Sequence, residues 1–353
     1  MAIKTTTIGA YPKPDFLNVS DWFDGDEQGP DSADPTARYA EEVAKLGGEA
    51  EALFVRAAEQ VIGDQVEAGV DIPTDGEVRR ENYIHYHCRH LDGIDFENLT
   101  DKVLRNGAYQ ARLPTITGPV SARDNFLPHD WTTAQAMTDK PLKVTLPGPM
   151  TIGDTVADDH YGDPKKRGAD LAVALNAEIL ALAEAGCTYI QVDEPLFARK
   201  VDAALDFGFD NLERCFEGVP DSVIRTVHMC CGYPDHLDNP EYPKAPKNCY
   251  FDLAKAIDAS SIQAVSVEDA HRNNDLSLLE LFQNTTVIFG VVAIAKSRLE
   301  SVDDIRGRLE NALQHIDSDR LIAAPDCGLG LLGRDLARAK LQHLCEAAHS
   351  VGA

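Results

Sequence analysis

Four side chains with the chemistry of metal ligands share one kind of setting in this chain. His228 and Cys230 follow the apolar run Val223 to Val227, Glu268 follows Ala264 to Val267, and Cys327 follows Leu321 to Ala323. One imidazole, two thiols and a carboxylate form a borderline-soft donor set that suits Zn2+. Zinc fingers place close pairs of ligands on a small loop, whereas tens of residues separate Cys230, Glu268 and Cys327 here. Such ligands meet only if the fold gathers the ends of successive strands onto one face. Asp269 and His271, beside Glu268, are alternative donors at that position. A closed zinc staple, or simple packing of His228 and the cysteines, is the bland alternative. The shared position after strands favours an open, catalytic site.

Three anionic ligands around a dication leave the site with net negative charge, which makes a poor activator of water. Such a site is better suited to hold a substrate thiol as its thiolate, with electron density left on sulfur for attack on an electrophilic carbon at neutral pH. No side chain is therefore assigned as catalytic beyond the metal-bound substrate thiolate.

The elements that must position these residues alternate β-type runs with helical patterns. Strands are expected at Thr5 to Ile8, Val70 to Pro73, Leu142 to Leu146, Tyr189 to Val192, Val223 to Val227, Ala264 to Val267, Thr286 to Ala293 and Leu321 to Ala323. Phe54, Ala58, Val61, Ile62 and Val66 mark one face of a helix, and Leu171, Leu175, Ile179 and Leu182 mark another that ends at Gly186. This rhythm predicts an α/β chain folded as a (β/α)8 TIM barrel. A single domain over residues 1–353 is expected, with a long insertion after the second strand, from Asp75 to Lys140. A doubly wound open sheet is the second choice, because it would concentrate the polar residues at one switch point.

The 58 acidic residues against 33 basic ones give a net charge of -25, so the surface repels nucleic-acid backbones and anionic lipid. The amino terminus lacks the apolar core of a signal peptide and no segment is long and apolar enough to span a bilayer, so a cytoplasmic location is expected. In that compartment the 8 cysteines are expected as reduced thiols and metal ligands.

The motifs Thr5-Thr-Thr-Ile-Gly-Ala-Tyr-Pro, Thr74-Asp-Gly-Glu, Pro147-Gly-Pro-Met-Thr, Gln191-Val-Asp-Glu-Pro, His228-Met-Cys and Pro325-Asp-Cys-Gly-Leu, spread over most of the chain, resemble the C-terminal catalytic barrel of the cobalamin-independent methionine synthases. The resemblance implies zinc on His228, Cys230, Glu268 and Cys327, and methyl transfer to the sulfur of homocysteine. It also gives Asp193 and Glu77 the substrate ammonium group. Backbone N–H groups around Ile8, Gly9 and Ala10 would meet the carboxylate, Gly9 permitting close approach. Ala10 departs from the family's serine, and a hydroxyl contact is lost with it. Glu194 is open between a ligand role and a salt bridge at the rim.

Full-length members of that family have two barrels, and this chain matches the zinc-bearing one. Methyltetrahydrofolate, as its polyglutamate, is one expected donor. Thr155 stands where a pterin-stacking tryptophan is expected, and Ala295-Lys296 where a proton-donating histidine is expected. An amine leaving group needs protonation, so these changes favour a methyl-corrinoid, free or on a corrinoid protein, as the other donor. Lys296 is open between a replacement acid and a solvated charge. Alkyl transfer to another thiol, as in epoxyalkane:coenzyme M transferases, and a non-catalytic zinc-stabilised binding barrel are the alternative functions.

The run Tyr83 to His90 offers His85, His87, Cys88 and His90, which read as an aromatic, hydrogen-bonding loop near the mouth in preference to a second metal site. Arg79 and Arg80 are open between anion binding and rim charges.

Overall fold

The computed structural model describes residues 2–23, 34–104, 109–239 and 242–351. Its central sheet uses seven strands: β1 (Lys4–Thr5), β4 (Lys143–Pro147), β6 (Tyr189–Asp193), β7 (Ile224–Met229), β8 (Ala264–Val267), β9 (Thr286–Val292) and β10 (Leu321–Pro325). All pair in parallel, in the order β1-β10-β9-β8-β7-β6-β4. The order never reverses, so the doubly wound alternative is not adopted. Single parallel bridges, Thr6 to Ile72 and Thr74 to Lys143, span the gap between β1 and β4. The result is a curled, TIM-barrel-like parallel sheet.

Gln65 explains why the segment around Ile72 to Thr74 takes the eighth position. It lies on the helix Ala50–Glu67, which buries Phe54, Ala58, Val61 and Ile62 on the face expected from their spacing. Its amide donates to Thr74 O at 2.8 Å, and its Oε1 accepts from Thr74 N at 3.0 Å and from the Thr7 hydroxyl at 2.7 Å. One buried side chain thus supplies hydrogen bonds that a short strand would otherwise lack. The first strand is correspondingly shorter than the expected Thr5 to Ile8. Beyond Thr6 the chain leaves the ladder, and Gln191 Nε2 takes the Ile8 carbonyl at 2.7 Å from across the interior.

Between this segment and β4 lie the helix Tyr83–Cys88, the hairpin β2 (Leu91–Leu104) and β3 (Tyr109–Ala122), and the helix Leu127–Gln135. The hairpin is antiparallel and forms a separate sheet with β5 (Ala157–Asp158). The helix Pro164–Ala185 carries the Leu171, Leu175, Ile179 and Leu182 seam, all buried. It stops where expected, at Gly186, whose φ of +106 fits the left-handed cap. Each such fully buried aliphatic side chain contributes roughly 1.5–3 kcal/mol.

Inside the curled sheet a small apolar cluster of Ile8, Ala264, Ile288 and Ala324 is separate from the large core between strands and helices. The polar ends of the strands stand beyond that cluster. Among the described residues no helix is long and apolar enough to cross a membrane.

Candidate active site

At the carboxyl ends of the strands, one imidazole nitrogen of His228 and the sulfurs of Cys230 and Cys327 lie within 4.8 Å of one another. His228 is the penultimate residue of β7, Cys230 follows that strand directly, and Cys327 lies two residues beyond β10. His228 Nδ1 is 2.9 Å from the Ser266 hydroxyl of the neighbouring strand, while Nε2 faces Cys327 Sγ at 3.4 Å. A ring held through Nδ1 presents Nε2 as the ligand atom. The Cys230 thiol is held well below the ordinary thiol range, first by a hydrogen bond from Cys327 and then by His228. Cys327 shifts up in return. The pair therefore gives up one proton readily and holds the second between the two sulfurs, so a thiolate is in place where a cation could bind through sulfur.

Glu268 lies next to this cluster but outside it. Its Oε1 is paired with Lys244 Nζ, and its Oε2 accepts the Cys231 N–H at 3.0 Å. A second convergence joins Glu268, His271 and Asp326. There both imidazole nitrogens are already used: Nδ1 is 2.7 Å from Asp326 Oδ2, and Nε2 accepts from Ala295 N at 3.2 Å. Asp326 also accepts the N–H groups of Asp269, Ala270 and His271. This group braces the loop after β8 against the loop that carries Cys327. Asp269 is likewise engaged, by Arg308 and Asn274.

A cavity of about 620 Å³, its open mouth included, runs from the cluster to the surface. His228, Cys230 and Cys327 form one end, and Ile8, Gly9, Ala10, Glu77 and Asp193 line it too. Asp193 is the register partner of His228 across β6 and β7. Gln191 donates to its carboxylate at 2.7 Å, and burial nevertheless raises its pKa to about 7. Glu77 stands in the left-handed region at φ +58 and accepts from the Thr145 hydroxyl at 2.7 Å. Gly9 makes room for it, since a Cβ there would lie 2.5 Å from Glu77 Oε1. The Ile8, Gly9 and Ala10 carbonyls are taken by Gln191, Thr74 and Leu329, and no described group accepts the Gly9 or Ala10 amides.

Other expectations resolve differently. Glu194 accepts from Met150 N, Thr151 N and the Thr151 hydroxyl, so it is bound to the start of the helix Pro149–Thr155 and makes no salt bridge among the described residues. Arg79 pairs with Glu51 and Asp130, and Arg80 holds Thr145 and Glu77, which leaves neither as an open anion site. Thr155 and Lys296 do not line the cavity. Tyr83 to Cys88 is a helix, capped by Asn82, and not a loop. His85 contacts the Thr36 hydroxyl, His87 the Tyr83 carbonyl, and His90 stacks on Phe126 at 3.8 Å.

The cavity wall also contains residues that spacing did not reveal: Trp22, Phe23, Tyr83, Tyr233 and Arg199. Trp22 lies 5.2 Å from Phe23, 6.0 Å from Tyr83 and 6.1 Å from Tyr233 between ring centroids. The available signal was adjacency, because Trp22-Phe23 opens the acidic loop after the first strand and Arg199 follows closely on Asp193.

A TIM-barrel-like parallel sheet with a His-Cys-Cys cluster and two acidic groups lining a cavity at its strand ends is the arrangement of a barrel enzyme with a candidate metal site. The chain belongs to the cobalamin-independent methionine synthase family: the family's "Cobalamin-independent synthase, Catalytic domain" matches residues 30–350. Methionine synthase of Saccharolobus solfataricus is 28% identical over 349 residues, covering 98% of this chain and 93% of the relative. That of Sulfolobus acidocaldarius is 27% identical over 343 residues, covering 96% and 89%. A B12-independent methionine synthase from Shewanella sp. W3-18-1, solved with selenomethionine, superposes with a TM-score of 0.83 at 30% identity, covering 99% of this chain and 97% of that one. The structure from Listeria monocytogenes, at 17% identity and a TM-score of 0.71, shares the fold. Family membership makes the chain a methyltransferase acting on homocysteine. It does not favour transfer to another thiol or a non-catalytic barrel.

Proposed function

We propose that this chain is a zinc-dependent homocysteine S-methyltransferase. The observation that carries this reading is the convergence of His228, Cys230 and Cys327 at one end of a cavity that also holds Glu77 and Asp193. The donor set fits zinc: two adjacent thiols, one of them readily ionised, and an imidazole fixed through its far nitrogen. His228, Cys230 and Cys327 would hold the ion, with Glu268 as fourth ligand once its carboxylate is released from Lys244. Zinc bound there supplies the Lewis acidity that keeps a thiol ionised at neutral pH.

The chain's own side chains bind and orient the amino acid. Asp193 and Glu77 present two carboxyl groups to the ammonium group, Asp193 held by Gln191 and Glu77 by Thr145 and Arg80. Gly9 and Ala10 line the same cavity and their amides have no acceptor among the described residues, so the absent hydroxyl at Ala10 leaves backbone donors available for the substrate carboxylate. Trp22, Phe23, Tyr83 and Tyr233 give the same cavity apolar walls, and a low local dielectric strengthens each of these charge interactions. The methyl donor in this reading is methyltetrahydrofolate, as its polyglutamate, or a methyl-corrinoid.

The test is a donor panel. Zinc-loaded protein is incubated with L-homocysteine and each methyl donor, methionine is quantified, and zinc-edge X-ray absorption reads whether homocysteine adds a sulfur neighbour. Methionine formation with a new zinc–sulfur bond supports the reading. Protein that binds no zinc, or shows neither product nor a new bond, overturns it.

A further inference from the structure

The cavity contains one cationic side chain, Arg199, at the end of the short helix Pro195–Arg199 that follows β6. Other arginines packed into the protein have acidic partners: Arg79 with Glu51 and Asp130, Arg80 with Glu77, Arg89 with Glu81, Arg308 with Asp269. Arg199 is partly buried, its Nε is shielded from solvent without an acceptor, and it has no ion pair among the described residues. Among the described residues, a guanidinium without an acidic partner inside a cavity stands out from the paired arginines. Holding a desolvated charge without a partner is costly, and a bound anion removes that cost.

The rest of the cavity sharpens the point. Glu77, Asp193, Cys230 and Cys327 attract cations, and none of them can receive a substrate anion. Arg199 stands on the β6 and β7 side, near Tyr83 and Cys230, whereas Ile8 to Ala10 stand after β1. Around the curled sheet these positions face each other across the mouth. Trp22, Phe23, Tyr83 and Tyr233 give the intervening wall flat apolar surface. A low-dielectric wall beside a planar guanidinium is the setting in which a bidentate carboxylate contact is strongest.

We propose that Arg199 is the anion-recognising residue of this cavity and receives a substrate carboxylate beside the aromatic wall. Two sources carry that group: the amino acid itself, and the acidic tail of a methyl carrier. Its position across from Ile8 to Ala10 favours the carrier. This inference rests on the homocysteine methyltransferase reading.

Calorimetry on the zinc-loaded protein tests it, with three probes: L-methionine, its decarboxylated analogue 3-(methylthio)propylamine, and 5-methyltetrahydrofolate. Arg199→Gln is expected to weaken a carboxylate-bearing probe by about 10- to 100-fold, with partial recovery in Arg199→Lys. Loss confined to L-methionine, with the amine unaffected, assigns the amino-acid carboxylate. Loss for 5-methyltetrahydrofolate assigns the carrier. Thermal midpoint and zinc content report folding, and Arg199→Lys serves if the glutamine variant is unstable. Wild-type binding that both variants leave unchanged overturns the role of Arg199 alone. A wild-type protein that binds none of the probes overturns the role together with the reading beneath it.

Discussion

Cys327 Sγ lies 3.4 Å from His228 Nε2, although 99 residues separate them in the chain. The contact exists because β7 and β10 end on the same rim of the curled sheet. Replacing Cys327 by alanine removes one of the two thiolates and leaves His228, Cys230 and a Glu268 carboxylate still engaged by Lys244, a much weaker zinc site. Cys327→Ala is therefore expected to purify with little zinc and to turn over at least about 100-fold more slowly. Metal analysis and methionine formation read this directly, and a zinc-replete, active variant contradicts the assignment.

Burial raises the Asp193 carboxyl to about 7, with His228 opposing. Below that pH the group is protonated and offers an ammonium ion no charge. Affinity for L-methionine should then climb by about tenfold per pH unit up to neutrality and level off above it. Asp193→Asn should bind weakly at every pH, with no step near 7, while keeping its zinc. A pH series of calorimetric titrations checks both, and a step that persists in the asparagine variant assigns the titration elsewhere.

Glu268 is shared between a metal that needs its carboxylate and Lys244, which holds it. If Glu268 is the fourth ligand, Glu268→Gln lowers zinc affinity by about 10- to 100-fold, and Lys244→Met raises it by removing the competitor. Competition against a chromophoric chelator measures both constants. Wild-type affinity in Glu268→Gln would show that the carboxylate belongs to Lys244 alone.

Lys143 projects from β4 with its Nζ buried and without a hydrogen-bond partner among the described residues. Burial lowers its pKa from 10.5 to about 7, and nearby Asp193 offsets this only in part. The unfolded chain binds the proton over that whole interval and the folded chain does not, so the fold gains stability as pH rises from about 7 towards 10.5. At pH 6 the full penalty is present. Lys143→Met should raise stability there by on the order of a few kcal/mol, and by less near pH 10. Denaturant melts at the two pH values read the difference, and a destabilised variant at pH 6 would point to a charge role for Lys143 that burial alone does not explain.

Much of the architecture was legible because strand and helix periods are local. The seam from Leu171 to Leu182 and its Gly186 stop, or the β7 run that delivers His228, depend on neighbours in sequence. The second strand was legible as the run Val70 to Pro73, which the structure realises as single bridges at Ile72 and Thr74, but its anchoring by Gln65 was not, since a buried glutamine has no periodic signature. The run from Tyr83 to His90 illustrates the opposite failure. Its alternating aromatics and histidines suit a loop or an extended segment, yet the Asn82 cap, accepting from Ile84 N and His85 N, starts a helix.

Residue types alone determined that this chain carries thiol, imidazole and carboxylate donors after β-type runs, and that it bears a net charge of -25. Only the tertiary structure decided which donors converge, that Glu268 is turned to Lys244, and that Arg199 lines the cavity with no ion pair among the described residues. The physical reason is range. Backbone propensity and alternation act over a few residues and can be read in order, whereas an ion pair or a ligand cluster is settled by distances of a few ångströms between segments that sequence order keeps far apart.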